Sequence, residues 1–297
     1  MSQAAGLRSA RHAHVPALVA AMRPHQWTKN LFLLAGVVFA GKLGDGTHVA
    51  RALVAFVAYC LLSSAGYLVN DVRDAEHDRA HPTKRFRAVA SGALAPRTAL
   101  VVAAALALAG AALAAALGPL ELAFAAGFAG LQLAYSFRLK RVVVVDALTI
   151  AALFVVRAAA GAEATRVRIS PWLLVCTALL ALFLAFAKRR AELLATNGDT
   201  SSRAVLGRYS FRRLGPAVAV TAGGSFLAYT VYAFTGSDSA ETALTVPLVA
   251  FGLARYLFLM LRRELGEEPD RMLLTDVPLL VTVALWALVA TAILNAA

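Results

Sequence analysis

Residues 70–78 read NDVRDAEHD and are called here the acidic segment. The spacing of their acidic side chains is compatible with a metal site. Asp71, Asp74 and Asp78 follow one another at i, i+3 and i+7, so on a helix they share one face, beside Asn70. A divalent cation would relieve the repulsion among three carboxylates, and Mg²⁺ favours one or two carboxylates together with substrate phosphates. The alternative is a solvated helix end whose acids pair with nearby basic residues.

A basic segment, residues 84–87, comes shortly after the acidic one. Lys84, Arg85 and Arg87 can donate charge-assisted hydrogen bonds to phosphate oxygens. The alternative is that these charges only fix the membrane orientation of the chain. That explains the charges but not their position beside three carboxylates, so the two segments together predict a site for a metal ion and a polyphosphate.

The chain that must position these residues has the composition of a membrane protein. Hydrophobic residues make up 60% of its 297 positions, charged residues 15%, and the mean hydropathy is +0.70. Nine apolar stretches approach the length of about 20 residues that crosses a bilayer. They are 28–43, 49–69, 98–117, 120–137, 142–161, 170–187, 215–236, 242–261 and 273–295. The sequence therefore predicts an all-α polytopic membrane protein of nine transmembrane helices, the first being the weakest.

The basic residues predict which side of the membrane holds the site. If the nine stretches span the bilayer, 23 of the 29 Lys and Arg residues fall on the side of the N-terminus and four on the other. Since basic loops stay in the cytoplasm, we expect the acidic segment at the cytoplasmic face of the plasma (inner) membrane. The same distribution explains the net charge of +12 without nucleic acid as a partner. Cys60 and Cys176 fall in predicted spans and are interpreted as packing residues.

Several segments, in their order along the chain, resemble the UbiA superfamily of intramembrane prenyltransferases. They are RPHQWTKN at 23–30, NDVRDAEHDRAHPTKRFR at 70–87, YSFRLK at 135–140 followed by Asp146, RAAAG at 157–161, and Lys188-Arg189 with Glu192. Within the superfamily, the decaprenyl-phosphate phosphoribosyltransferase family is the closer match. The resemblance implies a UbiA-type helical bundle, with a cytoplasmic tail over 1–27 and a single transmembrane transferase domain over 28–297.

One segment departs from the wider superfamily. Its prenyltransferases carry a second aspartate-rich motif between helices 6 and 7, which binds further Mg²⁺. Here the segment reads AKRRAELLATNGD, residues 187–199, with Lys188 and Arg189 before a single Glu192. A basic patch suits a donor that carries a second anion, such as the 5-phosphate of 5-phosphoribosyl 1-diphosphate.

The resemblance implies Mg²⁺-dependent transfer of 5-phosphoribose from that donor to a polyprenyl (decaprenyl) phosphate, with release of pyrophosphate. The acidic segment is assigned to Mg²⁺ and the diphosphate. The basic segment, together with Lys188 and Arg189, is assigned to the substrate phosphates, and Glu192 is assigned to substrate binding. The acceptor is already an anionic nucleophile, so the enzyme's work is mostly positioning and charge stabilisation. Cell wall biosynthesis is the expected context.

Four isolated residues complete the predicted site. Asp146 is expected to orient the ribose hydroxyls or to stabilise positive charge at C1, because ionisable groups inside membrane helices tend to be functional. Its alternative role is a helix-start acid paired with Arg141. Arg157 is a substrate ligand or snorkels to the outer interface. Tyr135 is a phosphate ligand or belongs to an aromatic belt, and Lys140 is a site residue or a topological charge.

Two other functions remain as alternatives. A prenyltransferase with an aromatic or other acceptor would share the fold, but it is disfavoured by the missing second aspartate motif. A transporter or non-catalytic lipid-binding protein would also be helical and basic inside, yet it has little use for acidic residues beside a basic segment. The expected partners are the two substrates and membrane lipids, with a homo-oligomer as one arrangement.

Overall fold

Helices are the only regular secondary structure among the residues that the computed structural model describes, which are 16–81, 83–195, 209–237, 239–263, 272 and 275–296. The eight main helices are α1 (Gly46–Arg73), α2 (Pro96–Leu117), α3 (Pro119–Phe137), α4 (Val145–Ala164), α5 (Pro171–Ala195), α6 (Phe211–Val231), α7 (Val246–Arg263) and α8 (Val277–Ala296). Eight segments built on them are long and apolar enough to cross a membrane. The predicted polytopic all-α fold is confirmed, and the chain is an integral multi-pass membrane protein.

The first predicted span, 28–43, takes a different form. It is a 3₁₀ helix over Pro24–Leu34 followed by a short α-helix over Ala35–Phe39. Long 3₁₀ runs are uncommon because their hydrogen bonds have poorer geometry, and here side chains tie the run to α1. Trp27 donates to the Ser64 hydroxyl over 3.1 Å, and Asn30 donates to the Cys60 sulfur over 3.2 Å. Nine helices was therefore an approximate prediction, with eight long spans described.

Two of the four groups of buried apolar side chains in the described residues make up most of the interior. One joins the N-terminal 3₁₀ segment to α1, α2, α3 and α4, with Leu33, Tyr59 and Phe128 fully buried in it. The other joins α5, α6, α7 and α8 around Phe183 and Leu259. Helices α4 and α5 pack against each other and connect the two groups.

Local sequence signals set where the helices begin and end. Proline opens α2, α3 and α5, where its missing N–H is not needed. Gly118 forms the tight connection between α2 and α3. Its φ of 147° is a backbone angle that residues with a side chain rarely adopt. Two arginines of α1 donate hydrogen bonds to backbone carbonyls at the C-terminal ends of neighbouring helices. Arg51 donates to Leu117 of α2 over 2.8 Å and to Ala164 of α4 over 2.5 Å. Arg73 donates to Phe137 of α3 over 2.9 Å.

The outer surface of the bundle is apolar. Large side chains such as Leu108, Val220 and Leu288 are exposed on the span helices, as expected for surfaces that face lipid tails. Both cysteines are free, Cys60 buried and Cys176 half-buried, in agreement with the packing role predicted for them.

Candidate functional site

The acidic segment lies at the end of α1 and is not one continuous helical row. Helix α1 ends at Arg73, and Asp74 (φ −90°, ψ 2°) joins it to a short helix over Ala75–Arg79. The break separates the carboxylates into two groups: Asp71 with Asp78, and Asp74 with Asn70. Asp71 and Asp78 still share one partner, as positions i and i+7 on one face can, while Asp74 faces another cation. The assignment of the three aspartates to Mg²⁺ stays a prediction.

Asp71 and Asp78 are buried and share one arginine. Each is only 2% exposed, so the predicted alternative of a solvated helix end is wrong for both. Arg87 of the basic segment places Nη1 2.7 Å from Asp78 and 3.5 Å from Asp71. Arg23 forms a second ion pair with Asp71, and its guanidinium lies 4.9 Å from the centre of the Tyr67 ring. The basic segment does fold back onto the acidic one.

Asn70 and Asp74 meet at one cation. The Lys140 ammonium lies 3.1 Å from the Asn70 side-chain oxygen and 2.5 Å from Asp74 Oδ2. Lys140 follows α3, 66 residues beyond Asp74 in sequence, in the 3₁₀ turn Leu139–Arg141. Lys140 thus lies beside the predicted site, and its role in binding substrate stays a prediction.

The two groups of oxygens suit a metal ion that arrives with a substrate. Carboxylates at the C-terminal end of a helix are disfavoured by the helix dipole, and each group here faces a basic side chain that offsets this. Among the described residues, no three acidic, histidine or cysteine side chains are arranged to hold a metal ion by themselves. Mg²⁺ typically takes one or two carboxylates and completes its shell with substrate phosphates and water, and Asn70 with Asp74 supplies such a partial set of converging oxygens.

A second polar group surrounds Asp146 at the start of α4. The Asp146 side chain is fully buried, and its Oδ2 lies 2.8 Å from Nε of Arg189, which is itself 1% exposed. Arg189 also forms an ion pair with Glu192, and Tyr209 donates its hydroxyl hydrogen to Asp146 Oδ1. Burial, followed by the bond to Asp146, raises the pKa of Tyr209 well above its usual range. The Arg141 partner proposed as the alternative for Asp146 is not the one found, since Arg189 takes that place.

Arg157 is buried and does not snorkel to the outer interface. It is 5% exposed, and its Nε donates to the Asn30 side-chain oxygen over 2.7 Å. Its guanidinium lies over the Phe128 ring at 4.4 Å. The 3₁₀ segment that precedes α1 thus meets α4 at a buried cation. Tyr135, in α3, lies close enough to Arg189 for an electrostatic interaction.

The remaining predicted residues have varied surroundings. Lys84 and Arg85 lie in the 3₁₀ turn Lys84–Phe86, and the Arg85 guanidinium rests 4.8 Å from the Phe86 ring. Lys188 is half-buried on α5 beside Arg189. Residues 196–208, in the connection between α5 and α6, lie outside the described residues, as do tail residues 1–15. Tail residues 16–22 are helical, and Arg23 brings the tail to the site.

Three residues that contact predicted site residues were missed from the sequence: Arg23 at Asp71, Asn30 at Arg157 and Tyr209 at Asp146. Arg23 and Asn30 fall within RPHQWTKN, a segment already noted for its resemblance, so that signal was present but carried no assigned role. Tyr209 stands 63 residues beyond Asp146 in sequence, and no local pattern connects the two.

A comparison with protein families decides the classification. The model of the UbiA prenyltransferase family matches residues 30–280. The chain belongs to this family. Among curated relatives of this UbiA protein, decaprenyl-phosphate phosphoribosyltransferase of Mycobacterium tuberculosis is 34% identical over 270 residues, covering 88% of this chain and 89% of the relative. The protein of the same name from Mycolicibacterium smegmatis is 33% identical over 290 residues, covering 92% and 90%.

Solved structures show the same fold. A UbiA homolog from Archaeoglobus fulgidus, bound to GPP and Mg²⁺, superposes with a TM-score of 0.74 at 18% identity, over 95% of this chain and all of the other. A structure of the same homolog bound to DMAPP and Mg²⁺ gives a TM-score of 0.72 over 94% of this chain and 99% of the other. The predicted UbiA-type bundle is confirmed, and the chain is a membrane-embedded transferase of the UbiA family.

Proposed function

We propose that this UbiA protein transfers 5-phosphoribose from 5-phosphoribosyl 1-diphosphate to a polyprenyl phosphate, such as decaprenyl phosphate, and releases pyrophosphate. The observation that carries the proposal is the Asp146 group. On α5, near the place of the second aspartate motif, the described chain has a buried arginine paired with Asp146 and one glutamate. The relatives named decaprenyl-phosphate phosphoribosyltransferase support the same substrates.

The acidic segment would receive the diphosphate of the donor. Asn70 and Asp74 would hold Mg²⁺, with Asp71 and Asp78 nearby, and the ion would neutralise charge on the departing pyrophosphate. Arg23, Arg87 and Lys140 already lie at these oxygens. Their donors can pass from carboxylate to phosphate oxygens when the diphosphate binds, since both are anionic acceptors of charge-assisted hydrogen bonds.

Asp146 would serve the ribose. Tyr209 donates a hydrogen bond to one of its oxygens, and Arg189 forms an ion pair with the other that lacks hydrogen-bond geometry. We therefore assign Asp146 the role of a positioned carboxylate and not that of a general base. Such a charge stabilises positive charge that develops at C1 as pyrophosphate leaves. The acceptor phosphate is already an anion, so the reaction does not require Asp146 to act as a general base.

The phosphate roles of Lys188 and Arg189 stay predictions. Arg189 is 1% exposed and is paired with two carboxylates, so a substrate phosphate would compete with Glu192, whose side chain is 17% exposed. Lys188, half-buried on the adjacent position of α5, is the better candidate for the 5-phosphate. We also propose that the site opens to the cytoplasm of a plasma membrane, where a soluble donor and a lipid acceptor can meet.

The test is a substrate panel. Purified protein with Mg²⁺ is offered phosphoribosyl diphosphate with polyprenyl phosphates of several lengths and, in parallel, a prenyl diphosphate with an aromatic acceptor. Mass analysis of the lipid products should show phosphoribosylated polyprenyl phosphate, with one pyrophosphate released for each product. Prenylation of the aromatic compound, without phosphoribosyl transfer, would move the assignment to the prenyltransferase alternative. Absence of either product with stable protein would reject both.

A further inference from the structure

The backbone just before Asp146 is strained. Val144 has φ 67° and ψ −42°, near the rare γ-turn conformation with positive φ. A β-branched residue is a genuine outlier there, since its side chain crowds the backbone. Strain of this kind persists only where surrounding contacts enforce it. Val144 precedes α4 directly, so its conformation sets the direction in which the first turn presents Asp146.

One hydroxyl group contacts both the strained residue and the carboxylate. The Val144 N–H donates to the Tyr209 hydroxyl oxygen over 2.9 Å. The same hydroxyl donates its hydrogen to Asp146 Oδ1. Tyr209 is thus an acceptor from the backbone and a donor to the side chain two residues later. Its raised pKa keeps the hydroxyl protonated at neutral pH, as this arrangement requires.

The contacts on the other carboxylate oxygen come from a different helix. Arg189, on α5, lies 2.8 Å from Asp146 Oδ2, while Tyr209 stands directly before α6. The Arg189 contact is an ion pair without hydrogen-bond geometry, so the directional bond to the Asp146 carboxylate comes from Tyr209. Arg189 alone would fix only one oxygen.

We propose that Tyr209 is a positioning residue that fixes the Asp146 carboxylate for the reaction by tying it to the backbone of Val144. The inference rests on the function proposed above for Asp146 and adds a residue that acts through it. Loss of the hydroxyl would free Oδ1 and remove the acceptor of the Val144 N–H. A small misplacement of a charged group near the reacting atoms can cost on the order of a hundredfold in rate.

Tyr209→Phe tests this with little change in shape. We expect kcat to fall about ten- to a hundredfold, while KM for phosphoribosyl diphosphate and the Mg²⁺ requirement change less than about threefold, because diphosphate binding lies with the acidic segment. Tyr229→Phe is the matched control. Its hydroxyl also has two partners, Thr245 at 2.7 Å and Trp286 at 2.8 Å, in an aromatic group between α6, α8 and the turn before α7. That variant should keep kcat.

A double-mutant cycle decides whether Tyr209 acts through Asp146. In an Asp146→Asn background, Tyr209→Phe should lower kcat by less than about twofold, since the oriented charge is already gone. If Asp146→Asn has no measurable turnover, the same cycle is read from unfolding temperatures, where the two substitutions should again be less than additive. Additive effects, a Tyr209→Phe enzyme with full kcat, or an equal loss in Tyr229→Phe would overturn the proposal.

The wild-type reaction separates this proposal from the function on which it rests. If the wild type makes phosphoribosyl lipid and Tyr209→Phe does so at the same rate, the positioning role fails and the function stands. If the wild type transfers a prenyl group instead, the proposed function fails. The cycle is then run on that reaction, where coupling between Tyr209 and Asp146 would still support the positioning role and additivity would reject it.

Discussion

At the scale of single residues, each aspartate of the acidic segment already faces a basic side chain of the same protein. Asp71 and Asp78 meet Arg87, and Asp74 meets Lys140. Buried carboxylates are costly unless paired, so these cations make the segment compatible with a folded protein before any substrate arrives. The same cations are the donors that a diphosphate needs.

The first prediction concerns the carboxylates. Asp74→Asn and Asp78→Asn should each lower turnover by at least about a hundredfold, because an amide loses the charge that retains Mg²⁺ and orients the basic side chains. Glu76→Gln is the control, since Glu76 is an exposed acid on the same short helix. Turnover is measured as pyrophosphate release across a Mg²⁺ titration. Near-normal activity of both asparagine variants would contradict the proposal that this segment binds Mg²⁺.

The second prediction concerns Lys140. Lys140→Met keeps most of the apolar stem but loses the ammonium that meets Asn70 and Asp74. A charge-assisted contact is worth about 1.5–3 kcal/mol, so kcat/KM for the donor should fall about ten- to a hundredfold. Arg141→Met, exposed on the same turn, should have little effect. Equal losses in the two variants would indicate a general effect of loop charge.

Residues that act together could be predicted only where they are close in sequence. The acidic and basic segments were found because their spacing within eighteen residues, 70–87, is visible as a pattern. Arg23 reaches Asp71 across 48 positions, and Tyr209 reaches Asp146 across 63. Such pairs depend on how whole helices pack, and a single arginine or tyrosine at a membrane boundary has no distinctive local pattern.

At the scale of elements, the N-terminal 3₁₀ segment and α4 cross with almost no space between their backbones. A Cβ added to Gly161 would lie 2.0 Å from the Leu33 carbonyl oxygen, and one added to Gly36 would lie 2.7 Å from Ala162 Cα. Small residues allow this approach, as is common between membrane helices. The crossing places Asn30 where Arg157 can reach it. Hydropathy predicted a helix here but could not show its 3₁₀ form, which depends on contacts with α1 and α4.

The third prediction tests this crossing. Gly161→Ala should destabilise the protein by about 1–3 kcal/mol, because the new methyl group must displace backbone atoms. Gly127→Ala is the matched control on α3, where an added Cβ meets nothing within 4 Å. Thermal unfolding in detergent should show a clear loss for the first variant and little or none for the second. Equal unfolding temperatures would show that the segment can shift freely away from α4.

At the scale of the whole molecule, the positive-inside rule assigns both polar groups to one face of the membrane. The acidic segment follows α1, Lys140 follows α3, and Arg189 lies near the end of α5. These are ends of helices that run in the same direction if each long helix crosses the bilayer once. Composition and hydropathy were sufficient to predict the eight long spans but not the form of the first predicted one, because apolar length is a property of each segment by itself whereas the 3₁₀ form is not.

The fourth prediction is the resulting topology. Single cysteines introduced as Ser91→Cys and Ser210→Cys should be protected from a membrane-impermeant thiol reagent added to intact cells. Gly44→Cys, at the opposite end of α1, should react. The parent protein, with Cys60 and Cys176 in span helices, is the background control. If Ser91→Cys and Ser210→Cys were labelled from opposite sides of the membrane, the two polar groups could not belong to one site.

The ion pairs of the acidic segment bear on the order in which ligands arrive. Lys140 is paired with Asp74, where Mg²⁺ is proposed to bind, and Arg23 and Arg87 are paired with the neighbouring Asp71 and Asp78. A bare Mg²⁺ ion would have to displace protein cations and leave them without counterions. A magnesium complex of the donor supplies both the metal ion for the carboxylates and phosphate oxygens for the displaced basic side chains. Those side chains can then form ion pairs with the phosphate oxygens. The expected sequence is therefore joint entry of metal and donor, with weak affinity for the ion alone. Calorimetry with Mg²⁺, then with Mg²⁺ and inorganic pyrophosphate, should show the metal binding much more tightly when the anion is present.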